Sequence, residues 1–275
     1  MTAVARSPAI PLHGVSYNVE SKPNPAATKG GFTRFKDYVG SADGAYKFTD
    51  LFTKVFKESI EIASLAGSAS TVAALKGPGA VFSKLSGAFI FPYFAFASVK
   101  LKESAEKVAN EGPSDGRVEN LVKDSLGWVT SGCYATLNFV DVPVLGSIAK
   151  VTDLAGDSIE LKQEVSAWTL ADDLMKTHGK GGVSSEIHHD LVEEKKLRFL
   201  GIIKAVVSVV GGIFAVLALI LGAAVVPGIV AASLSLVGIS MAFIKHFYRE
   251  NMDQKVTIQR EVVVIPATLN ETAGV

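Results

Sequence analysis

The stretch AVVSVVGGIFAVLALILGAAVVPGIVAASLSLVGISMAFI, Ala205 to Ile244, holds no charged residue. Basic residues close both ends: Lys195, Lys196, Arg198 and Lys204 before it, Lys245 and Arg249 after it. As one helix it would run roughly 60 Å at about 1.5 Å per residue. The hydrocarbon core of a bilayer is only about 30 Å thick, so two spans fit and one does not. Pro227 lacks an amide donor and disfavours helix at Val226, which makes Pro227-Gly228 the expected turn of a transmembrane hairpin.

Small residues recur along both arms. Ser208, Gly211, Ala215, Ala218 and Gly222 follow spacings of three and four on the first, as do Ala231, Ser235, Gly238 and Ala242 on the second. Such stripes let helices approach closely where lipid removes the hydrophobic drive, and they are the expected packing surface of the hairpin. Cationic residues prefer the cytoplasmic side of a membrane. Lys195, Lys196, Arg198, Lys204, Lys245 and Arg249 are therefore read as interface anchors that put both ends on the cytosolic side. A buried pair in a soluble protein would keep some polar residues on an outer face, and neither arm has any beyond serine.

Composition narrows the rest. In 275 residues the formal net charge is zero, which argues against a nucleic-acid binder relying on a basic field. Cys133 is the single cysteine, so no intrachain disulfide and no cysteine-rich zinc site can form. It sits in the apolar run WVTSGCYATLNFV, where a buried inert thiol is expected. No charged segment followed by an apolar run opens the chain, so a Sec signal peptide is not expected.

Residues 1–40 are rich in Ala, Pro, Ser, Thr and Gly, and are expected to be disordered, as an ordinary flexible terminus or a secretion leader. From Ser41 the pattern turns helical. Phe48, Leu51, Phe52, Val55 and Ile62 mark one face, while Lys47, Asp50, Lys54, Lys57 and Glu61 mark the other. Gly77-Pro78-Gly79 is expected to end that region. Ala80 to Asn110 reads as a second helix kinked at Pro92, with an uncharged core too short for a confident span. A third helix is expected after Ser114 or Asp115, and a fourth from about Val144 to Lys176. Residues 41–182 thus form a helical bundle domain, 183–250 the hairpin, and 251–275 a tail with a short strand near Lys255 to Ile265. The expected fold class is all-α, with flexible tails at both ends.

Chemistry is sparse. His178, Glu186, His188, His189 and Asp190 cluster, but adjacent histidines point about 100° apart on a helix and no HExxH spacing occurs. No GxxxxGK[ST], GxSxG or GxGxxG frame is present. The sequence therefore points to a non-enzymatic protein, with no catalytic, cofactor-binding or metal residues.

The bilobed segment, Ala205 to Val226 and Ile229 to Ile244 about Pro227-Gly228, resembles that of the inclusion membrane proteins of Chlamydiae. That resemblance implies type III secretion, insertion into the host vacuole (inclusion) membrane, and a cytosol-facing part that binds host or sister proteins. The expected partners are the lipid bilayer and an unidentified protein, not nucleic acid, with homo-oligomerisation left open. Two other readings stay open. A membrane-shaping hairpin would use Phe48 to Ala66 as an amphipathic wedge. An oligomeric pore would need a polar lining, which the apolar arms do not offer.

Overall fold

The computed structural model describes residues 10–12, 15–178, 185–221 and 228–261. Within them the chain is all-α apart from one small sheet, with seven helices. These are α1 (Gly31–Gly40), α2 (Ala42–Leu65), α3 (Ala69–Glu111), α4 (Asp115–Leu137), α5 (Pro143–His178), α6 (Ser185–Leu221) and α7 (Gly228–Asn251). The strands are β1 (Ile10–Leu12), β2 (Val15–Pro23) and β3 (Gln254–Glu261), in the antiparallel order β1-β2-β3.

Local chemistry sets the helix ends. The Ser41 hydroxyl accepts from the Gly44 amide at 3.0 Å and so satisfies an orphan donor at the start of α2. Between α2 and α3 the backbone reverses at Gly67, whose φ of 70° suits glycine. Gly112, at φ 78°, follows the end of α3.

Consecutive helices from α2 to α7 pack side by side and run antiparallel. Phe52 and Phe56 of α2 both stack on Phe82 of α3. Phe94 and Ser98 of α3 meet Trp128 of α4. Thr130 of α4 bonds Thr152 of α5 at 2.7 Å. Lys195 and Lys204 of α6 reach Asp172 and Glu160 of α5. A Cβ built at Gly238 of α7 would lie 3.6 Å from Ser208 Oγ of α6, and one at Gly211 would lie 3.8 Å from Leu234. Last, α7 returns to α2, with Phe243 against Phe48 and Ser233 bonded to Glu58 at 2.5 Å. Each helix packs on its sequence neighbour and α7 closes on α2, so the six form a ring.

Two expectations need correction. Gly77-Pro78-Gly79 does not end a helix, because α3 runs through both Pro78 and Pro92. Beside the missing donor of Pro78 the two helices approach closely, since a Cβ at Gly79 would come within 3.2 Å of Phe56 Cβ. The tails are not simply flexible. Val15–Pro23 pairs with Gln254–Glu261 over the register Ser16↔Glu261 to Pro23↔Gln254, and α1 follows. The strand's bonding partner lies at the far end of the chain, where local composition cannot reveal it. On either side of residues 179–184, α5 and α6 lie against each other from Asp172–Lys195 to Leu154–Gly212.

At one end of the ring the sheet covers α5 and α6. Val19, Leu174 and Leu191 are fully buried there, with Leu12, Tyr17, Val256 and Ile258 packed around them. Asn24 fastens the same end, donating from Nδ2 to the carbonyls of Met252 at 2.8 Å and Arg249 at 3.1 Å.

Among the described residues two helices, α3 and the Ile187–Leu221 part of α6, are long and apolar enough to cross a membrane. In the apolar window of each only 6% of residues are buried within the protein. A core helix of a soluble protein would be mostly covered. The expected second arm, α7, begins at Gly228, whereas Gly222 and Pro227 lie outside the described residues, as do residues 262–275.

Candidate functional site

Two charged rows of the ring turn inward, one on α2 and one on α5. On α2, Asp43, Tyr46, Lys47, Asp50 and Lys54 follow one another at three and four residues, which places them on one face. Asp43 pairs with Lys47 at 2.8 Å and Asp50 with Lys54 at 2.7 Å. Asp153, Asp157, Glu160 and Glu164 form a matching stripe on α5. These two helices sit on opposite sides of the ring and are not packing neighbours. Even so, the charges of Asp50 and Lys54 act on Asp153. The α2 row and the α5 stripe therefore face each other across the interior.

Tyrosines complete the lining. Tyr46 of α2 stacks on Tyr93 of α3 with centroids 4.8 Å apart and planes 20° from parallel. Tyr134 of α4 lies within electrostatic reach of Tyr46 and of Asp153. Asp153 belongs to the inward stripe of α5, and its side chain is exposed. The space it faces is therefore open to water and not filled by side chains.

From α6, Lys204 donates to Glu160 Oε2 at 2.6 Å. From α7, Lys245 donates to Glu164 Oε1 at 2.5 Å, and Arg198 approaches the same carboxylate at 3.5 Å. Arg198 also holds Glu194 at 2.7 Å. Toward the sheet, Lys195 and Lys196 pair with Asp172 and Glu193. The hydrogen bonds from Lys176 and Lys195 hold the Asp172 carboxyl below its ordinary value. Glu193 is held down likewise, first by Lys196 and then by the Tyr248 hydroxyl. Of the six expected interface anchors, five thus engage carboxylates of the ring, while the carbonyl of Arg249 accepts from Asn24.

The expected small-residue stripe is divided. Ser208, Gly211 and Gly238 lie at the contact between α6 and α7. Ala215, Ala218, Ser235 and Ala242 are half-buried on the same two helices, whereas the Ala231 side chain is outside the described residues. Sequence reading missed Gly212 and Gly201. A Cβ at Gly212 would meet Leu154 Cδ1 at 2.9 Å, and one at Gly201 would meet Glu164 at 2.5 Å. It missed the interior as well. The acidic residues at i, i+4, i+7 and i+11 along α5 are legible as one stripe, but the row that faces them is not.

A separate mouth opens between α3 and α4 as a cavity of about 250 Å³ lined by Lys100, Lys107, Lys123 and Asp124 among others. Lys123 also donates to Gln163 of α5 at 2.9 Å and acts on Glu160, so this mouth adjoins the acidic stripe. Outside the ring, Phe94, Trp128, Gly132 and Phe139 line an apolar groove of about 500 Å³. Cys133 is buried and free at its edge.

In comparisons with known proteins, no family model, no curated protein and no solved structure matches the chain.

Proposed function

We propose that this chain is an integral membrane protein whose helical ring crosses the bilayer and offers a polar path through it, without catalysing a reaction. One observation carries the reading: amphipathicity is turned inside out. The charged rows of α2 and α5 face the interior, while large apolar side chains stay exposed, including Val81 and Leu85 of α3, Val151 of α5 and Val206, Ile213 and Leu217 of α6. In a membrane bundle, ionisable residues that face the interior mark pathways for ions and protons. The polar lining comes from α2 and α5 of one chain, so no oligomer of apolar hairpins is needed.

The test is reconstitution. The purified full chain in liposomes is expected to stay in the pellet after carbonate extraction and to pass small ions, read with an entrapped fluorescent indicator. Recovery in the aqueous phase without detergent would overturn the membrane assignment. Tight liposomes at high protein content would overturn the path.

A second reading concerns the end that carries the sheet. The described ends of the chain meet there as β2 and β3, and α1 beside them exposes Phe32, 80% accessible. This supports a partner-binding face with both termini on the same, cytosolic, side, as a secreted membrane effector would need. Capture of one defined host or sister protein, lost in Phe32→Ser, tests it. A complex that forms equally well with the substitution would defeat it.

A further inference from the structure

We infer that the ring interior holds a site for a small monovalent cation, with Asp153 as counter-charge and the rings of Tyr46, Tyr93 and Tyr134 as walls. The inference deepens, and rests on, the reading of this interior as a polar path. Three observations converge. First, Asp153 is the carboxylate whose charge reaches all three tyrosines, each contributed by a different helix of the ring. Second, the neighbouring lysines are already neutralised: Lys54 pairs with Asp50 at 2.7 Å, and Lys204 with Glu160 at 2.6 Å. Among the described residues Asp153 carries no ion pair. Third, Asp153 is exposed on the inward stripe of α5, so its carboxylate is open to a solute and not packed against side chains.

The chemistry of that guest follows from its walls. An aromatic face carries the negative part of the ring quadrupole and attracts a cation. The stacked pair Tyr46 and Tyr93 and the nearby Tyr134 therefore add to the field of Asp153. An anion would meet a carboxylate and electron-rich faces together. The lysines at the α3–α4 mouth do not reverse this. They share that mouth with Arg117, Glu103 and Asp124; Arg117 is paired with Glu111 at 2.7 Å, and the mouth opens to water, where salt screens charges over about 8 Å.

The experiment uses the full chain in detergent micelles. Tetramethylammonium chloride and potassium chloride are titrated separately by calorimetry, with N-methylglucamine chloride holding ionic strength constant. At least one cation is expected to bind saturably, and to raise the thermal transition of the unmodified chain. Asp153→Asn should weaken that binding by about tenfold or more, in keeping with loss of a close opposite charge. Tyr93→Phe keeps the ring and should bind within about twofold of the parent, whereas Tyr93→Leu should bind clearly more weakly. Saturable binding by neither cation, or binding unchanged in Asp153→Asn, overturns the site. Equal losses in Tyr93→Phe and Tyr93→Leu overturn the aromatic walls. Since binding is read in micelles, it stands apart from ion flux in liposomes: flux without binding removes the site and leaves the path, and binding without flux does the reverse.

Discussion

Lys204 of α6 donates to Glu160 of α5 across 2.6 Å, and both side chains are mostly covered, at 21% and 23% exposure. The pair joins the apolar helix to the acidic one at the level where α6 loses its charges. Both ions have left much of their water, so each depends on the other to offset the desolvation cost.

Removing one partner is therefore expected to destabilise more than removing both. Lys204→Met or Glu160→Gln alone should cost about 3–5 kcal/mol, with the double substitution recovering most of it. Denaturant unfolding in detergent, run as a double-mutant cycle, checks this. Additive losses would show that the two groups are independently solvated.

Gly211 and Gly212 are adjacent yet should respond differently to alanine. A Cβ at Gly211 would lie at ordinary contact distance from Leu234, 3.8 Å away. At Gly212 it would press on Leu154, within 2.9 Å of Cδ1 and 3.4 Å of Cα. Gly212→Ala should lower stability by about 1–3 kcal/mol through overpacking, and Gly211→Ala should lie near zero. Thermal melts of the two variants decide it, and the reverse order would mean that α6 is rotated.

Leu217 tests the placement of α6 in lipid. Leu217→Arg sets a charge in the middle of the apolar stretch, at a cost of roughly 2.5–3.5 kcal/mol on the insertion scale. The variant should shift toward the carbonate-soluble or degraded fraction. Unchanged fractionation would remove α6 from the membrane.

Asp172 gives the seam between α5 and α6 a dependence on pH. Its carboxyl is lowered from 3.8 by Lys176 and Lys195, so the folded form favours the ionised state. The stabilising contribution is then fully present above the unfolded value and is lost as pH falls through the folded one. The melting advantage of the parent chain over Asp172→Asn should be level between about pH 5 and 7 and shrink below about pH 4. An advantage that persists undiminished under strong acid would separate Asp172 from those lysines.

How far the sequence could be read depends on the range of each interaction. The helices of α2, α4 and α5, and the run from Ser185 into the first apolar arm, follow from local periodicity and were legible. Pro78 misled because the breaker rule weighs a missing donor, and not the contact of Gly79 with Phe56 beside which α3 continues. The β2 strand was hidden for another reason. Val15, Tyr17 and Val19 do alternate, but the partner that makes this meaningful is Val256 and Ile258 at the other end.

The inward charges were the larger omission. Periodicity shows that Asp50 and Lys54 share a face, but says nothing of whether that face meets bulk water or another helix. Only ring closure by Phe243 on Phe48 decides it.

The pairing of β2 with β3 also has a timetable. Residues Gln254–Glu261 leave the ribosome long after Val15–Pro23, so the earlier strand stays without its partner while every ring helix is made. The fastening at the rim is thus the final stitch of biogenesis. A chain cut short before Lys255 would keep all six staves of the barrel and lack the clasp that ties its beginning to its end.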